Sequence, residues 1–90
     1  MDETKIDTEK AIEIVKDYFV KLKGASVEVG ERKLIDWLNF GVITAKEEKD
    51  QFVINCELLE NLFSSKKERY IISVSKIGKI TEVTKENGHA

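Results

Sequence analysis

Cys56, His89 and two carboxylate pairs, Glu57 with Glu60 and Glu47 with Glu48, are the residues of this 90-residue chain whose types could do chemistry. Cys56 alternates with Phe52, Ile54 and Leu58, so a strand period makes it a small buried hydrophobe. A reactive thiolate wants a nearby cation or a helix N-terminus, and the flanking sequence offers neither. His89 is the penultimate residue, whereas a general base must be held in place. Positions three apart in a strand point to opposite faces, which separates Glu57 from Glu60. Glu47 and Glu48 belong to the charged turn Lys46-Glu47-Glu48-Lys49-Asp50 and read as solvated. The serines at 26, 64, 65, 73 and 75 lack a nucleophile-elbow context and an internal histidine to serve them. The five glycines, at 24, 30, 41, 78 and 88, form no phosphate-cradling loop. One cysteine with one histidine builds neither an internal disulfide nor an ordinary structural zinc site. No catalytic residue, metal or cofactor is therefore assigned, and the chain reads as non-enzymatic.

Composition narrows the remaining classes. Apolar residues make up 41%, enough for one small core and a single domain over residues 1–90. Charged residues reach 36%, above the roughly 25% of an average domain. Yet 15 basic against 17 acidic groups leave a net charge of only −2, and binding by phosphate neutralisation wants a clear basic excess. No apolar run approaches the ~20 residues of a membrane span, and no signal peptide is read before the first polar stretch. The expectation is a cytoplasmic protein in a reducing compartment.

The elements follow from periodicity. Asp7 is a good N-cap, and Ala11, Ile12, Ile14, Val15, Tyr18, Phe19 and Leu22 share an arc of about 160° on a helix. Gly24 suits the left-handed position after the last turn, so a helix spans about 8–23, with Val20 alone out of place. Residues 24–33 read as a connection with a short extended piece at Val27–Val29, and 1–6 and 86–90 as flexible tails. β-Branched and aromatic runs broken by polar clusters then predict four strands, near 35–45, 51–59, 69–76 and 79–85. Their joints are short, and Ile77-Gly78-Lys79 makes a tight hairpin, so the expected fold is α+β: one helix on a four-stranded antiparallel meander.

Period two sorts the strand residues into faces. Phe52, Ile54, Cys56 and Leu58, with Tyr70, Ile72 and Val74 and with Leu38, Phe40 and Val42, form the face beneath the helix. The other face receives Trp37, Ile43, Val53 and Ile71, together with Leu59 and Val83, where a solvated sheet usually alternates to polar residues. Trp37, Ile43, Val53 and Ile71 are accordingly the candidate contact residues for a protein partner or a second copy. The bland alternative is that the 24–34 connection or a terminus folds over this face.

Charge asymmetry supports a different class of function. Residues 1–60 carry nine basic and fourteen acidic groups, whereas 61–90 carry six basic and three acidic. Lys66, Lys67, Arg69, Lys76 and Lys79, with Tyr70 and Phe63 for stacking, could hold single-stranded nucleic acid. Such lysines also keep sheet edges from aggregating. A third reading is a small ligand bound between helix and sheet, although a chain this short leaves little volume for it.

Two resemblances bear on these readings. Tyr70-Ile71-Ile72-Ser73-Val74, then Gly78-Lys79-Ile80 and Val83, following a helix, resemble the cystatin-like group, including PepSY-type domains. Phe52, Glu57, Glu60, Tyr70, Val74 and Gly78 resemble the gas-vesicle protein O family over residues 52–83. That family's proline between the second glutamate and the tyrosine is absent, and Phe52 stands where it usually has tryptophan. The resemblance implies an accessory role in gas-vesicle assembly, without catalysis and with other protein subunits as partners.

Overall fold

A computed structural model of the chain describes residues 5–86; His89 and Gly88 lie outside them. Helix α1 spans Thr8–Leu22. A two-stranded hairpin follows, β1 (Glu28–Val29) with β2 (Arg32–Lys33), and then a single helical turn, α2 (Leu34–Trp37). The remaining chain is the sheet: β3 (Gly41–Glu47), β4 (Gln51–Leu59), β5 (Lys67–Ser75) and β6 (Ile80–Glu86). All four pair antiparallel in the order β3-β4-β5-β6, which is an α+β meander. No helix among the described residues is long and apolar enough to cross a membrane.

Local chemistry explains both ends of α1. The Asp7 carboxylate accepts a hydrogen bond from the Lys10 amide at 2.8 Å, which satisfies one of the orphan donors of the first turn. At the other end Gly24 adopts φ +62°. The Gly24 amide donates to the Lys21 carbonyl, and the Ala25 amide donates to the Val20 carbonyl at 2.8 Å. That pair of bonds is a Schellman cap, and it requires the left-handed residue that glycine supplies without strain. Ala25 is thereby turned inward and fully buried.

The core lies between α1 and one sheet face. Ala11, Val15 and Phe19 from the helix meet Phe52, Ile54, Cys56 and Leu58 of β4 and Tyr70, Ile72 and Val74 of β5. The expected alternation is observed along β4 and along β5 up to Ile72, after which Ser73 is buried as well as Val74. Burial pushes the Cys56 thiol up to about 12, which keeps it protonated and inert. Native protein should therefore label slowly with a thiol reagent and quickly once unfolded, and Cys56→Ala should cost only roughly 1 kcal/mol. Rapid native labelling would show a register slipped by one residue.

Three expectations need correction. The first strand does not span 35–45, because residues 34–37 form α2 and β3 begins at Gly41. Ile35 and Leu38 are three apart, and a helical turn buries both, whereas a strand would send them to opposite faces. Asn39 at φ +57° then redirects the chain, a conformation its short polar side chain tolerates. The β5 strand begins two residues earlier than expected, at Lys67, and so draws Glu68 onto the core face. Ile6, assigned to a loose tail, packs against the core and donates its amide to the Lys76 carbonyl at 2.9 Å. The odd residue of the helical pattern, Val20, also finds its reason: with Ile35 it lines the groove between α1 and α2.

Candidate functional site

Helix α1 lies across β3, β4 and β5. The 24–38 segment stays on that same side, tied by Ala25 and Ile35 in the core and by an ion pair from Lys16 to Asp36 at 3.5 Å. Among the described residues, no further helix or strand is available to lie over the opposite face of the sheet, where Ser73 is the one buried residue. Pairing places its side chains in rows that cross all four strands. Lys46, Val53, Ser73 and Glu82 make one row. Thr44, Asn55, Ile71 and Thr84 make the next, and Gly41, Glu57, Arg69 and Glu86 the third.

Of the four candidate contact residues, Ile43, Val53 and Ile71 belong to the sheet and Trp37 does not. Val53 and Ile71 are half-buried and lie on diagonal neighbours of the central strands, within side-chain reach. Ile43 is the extra residue of a bulge between Val42 and Thr44 and is 45% exposed; an extra residue of this kind re-aims its side chain. Trp37 sits on α2, away from the sheet. Its indole N–H donates to the Val29 carbonyl at 3.1 Å, and the Arg32 guanidinium lies 4.8 Å above its ring. The ring props the small hairpin, a packing role. Leu59 and Val83 also fall away from the outer patch: Leu59 packs against the core, and Val83 pairs with Ile72 on the core side.

The basic residues do not converge. Lys67 and Arg69 both lie beside the Glu57 carboxylate, at 3.2 and 3.8 Å. Lys76 pairs with Glu47 at 2.6 Å and rests over the Phe52 ring. Lys66 and Lys79 are exposed with no ion-pair partner among the described residues, but opposite ends of a nine-residue strand separate them, by about 30 Å or more. Tyr70 is buried, its hydroxyl donating to Glu68 at 3.1 Å, so its ring offers no stacking platform. Phe63 does offer one. It is 98% exposed beside Leu62 in the β4–β5 connection, next to a groove of about 220 Å³ floored by Leu34 and Leu38.

Sequence reasoning missed one cluster altogether. The Glu68 carboxylate accepts from Lys23 Nζ at 2.9 Å and from the Tyr70 hydroxyl through Oε1, and from Lys85 Nζ at 3.0 Å through Oε2. It ties the end of α1 to β5 and β6. Burial alone would raise its pKa, but the hydrogen bonds from Lys23, Lys85 and Tyr70 outweigh that and hold it at about 2. The alternation Glu68, Tyr70, Ile72, Val74 carried the signal. Its three partners engage both carboxylate oxygens, which makes it a structural brace rather than an acid or base awaiting a substrate.

Where α1 meets the sheet, Ala11, Val15 and Phe19 are fully buried against β4 and β5. The larger groove, about 420 Å³, lies at the surface between α1 and α2 and is rimmed by Lys10, Glu13, Lys16 and Asp17. Among the described residues no group of three or more histidine, cysteine, aspartate or glutamate side chains is placed to hold a metal ion. No protein-family model, curated protein or solved structure matches the chain.

Proposed function

We propose that the chain is a small interaction module that docks a protein through the outer face of its sheet. The observation that carries this reading is the one-sided fold: α1 and the 24–38 segment occupy the same side, leaving Val53 and Ile71 facing outward on strands whose register is fixed by the core, with the exposed Ile43 at the neighbouring bulge. Apolar residues grouped on an otherwise polar open face mark a contact surface on a domain of this kind. Two features weigh against nucleic acid as the target. The charges of Lys67, Arg69 and Lys76 are already answered by Glu57 and Glu47, and Tyr70 is enclosed. A gas-vesicle accessory role is one assembly setting compatible with such a module, and the resemblance over residues 52–83 is its support.

Ile71→Lys tests the reading, because lysine is tolerated on a face that meets water in the free chain. Circular dichroism should show the variant folded. Unfolding would mean that Ile71 is core and that the docking reading fails. Single-stranded RNA and DNA titrated at two salt concentrations should not bind. Micromolar binding that weakens steeply with salt would move the function to Phe63 and the lysines instead.

A further inference from the structure

The charges on the outer face are arranged as one half of a symmetric pair. In the first row Lys46 stands at the β3 edge and Glu82 at the β6 edge, and neither has an ion-pair partner among the described residues. In the third row Glu57 on β4 neighbours Arg69 on β5. The first row therefore changes sign across the midline between β4 and β5, and the third does so between its two central residues, with Glu86 beyond Arg69 at the β6 edge and the uncharged Gly41 at the β3 edge. A twofold axis laid along that midline, in the plane of contact, turns each strand onto its mirror position: β3 of one copy over β6 of the other, and β4 over β5. Lys46 of one copy then faces Glu82 of the other, twice, and Glu57 faces Arg69, twice.

The uncharged positions obey the same symmetry. Val53 meets Ser73 and Ile71 meets Asn55, each larger apolar side chain against a smaller one, which is how facing layers interdigitate. Thr44 meets Thr84, and Gln51 meets Ser75, so polar positions find polar positions. Sheets stacked about 10 Å apart with strands within about 30° of each other accept this arrangement. Four strands about 4.8 Å apart, with seven to nine residues each, give a face of roughly 19 by 26 Å. Two such faces bury on the order of 1,000 Å² or more, the lower bound for a specific interface.

We propose that the occupant of this face is a second copy of the chain, docked face to face about a twofold axis parallel to the strands. The inference rests on the docking reading above and names its partner. Sedimentation of the wild type should give a dimer mass that falls to monomer on dilution. Lys46→Glu and Glu82→Lys should each weaken the dimer by roughly tenfold to a hundredfold, since each sets like charges face to face at two symmetric places. Mixing the two single variants should restore it, because in the heterodimer both contacts are again of opposite charge. Circular dichroism confirms that each variant is folded. If either is not, Glu57→Arg and Arg69→Glu repeat the mixing test on the third row. A wild type that sediments as a monomer up to about 1 mM overturns the second copy, as does a mixture in which the dimer is not restored. Neither result touches the docking reading, which stands or falls on the folding of Ile71→Lys and on the nucleic-acid titration.

Discussion

Replacing Phe19 with alanine should remove about 3–5 kcal/mol from the stability of the fold. The side chain is fully buried, and its ring is wrapped by those of Tyr70, Tyr18 and Phe40, with centroids 4.8, 5.1 and 5.9 Å away. These neighbours come from α1 itself, from the stretch before β3 and from β5, so no single shift closes the void that alanine leaves. A domain of this size has only about 5–15 kcal/mol in total. The melting temperature should consequently fall by about 15–30 °C, read by thermal unfolding. A loss below about 1 kcal/mol would mean that α1 does not dock on the sheet as described.

The second large effect is acid sensitivity. Glu68 titrates at about 2 in the folded protein, against an ordinary glutamate value near 4.3 in the unfolded chain. The unfolded state therefore takes up the proton first as pH falls, and the stabilisation is present above about pH 5 and is lost as pH drops toward 2. The shift corresponds to about 3 kcal/mol. Urea unfolding at pH 7 and pH 3 should show roughly half of it, about 1.7 kcal/mol, because the folded carboxylate is still mostly ionised at pH 3, and Glu68→Gln should flatten that difference while lowering stability at pH 7. Glu68→Ala should be worse at neutral pH, costing about 2–4 kcal/mol, because it leaves the largely enclosed Lys23 ammonium without its carboxylate. A pH dependence unchanged in Glu68→Gln would assign the acid transition to other groups.

Both effects depend on features of unequal visibility in the sequence. Phe19 was legible because 3.6-residue periodicity is a local property, and Asp7 and Gly24 framed it with capping chemistry that any helix needs. The core faces of β4 and β5 were equally legible, since period two survives over nine residues. The segment 34–40 was not. Its run Leu-Ile-Asp-Trp-Leu-Asn-Phe suits a strand by residue type, and only the need to bury Ile35 and Leu38 together made a helical turn the better solution. That requirement is tertiary, so Trp37 could not be placed from pattern alone. Glu68 was hidden for a similar reason: a carboxylate flanked by lysines and arginine looks solvated until two lysines from distant elements converge on it. The charge rows of the outer face needed the register of all three strand pairs, including the bulges at Val42/Thr44 and Ser73/Val74, which no sequence period specifies.

The meander order has a consequence for the birth of the protein. Each strand pairs only with its neighbours in the chain, so the sheet can assemble by successive hairpins, but α1 finds its seat only once β4 and β5 exist. About fifty residues separate Leu22 from Ser75. At ribosomal speeds of about 5–20 residues per second, the apolar stripe of Ala11, Val15 and Phe19 waits about 3–10 s for its cover. Over that interval this stretch of the nascent chain is an amphipathic segment without a partner. The carboxylates and lysines along its opposite flank, from Lys10 to Lys21, are what keep it dissolved while the sheet is still being made.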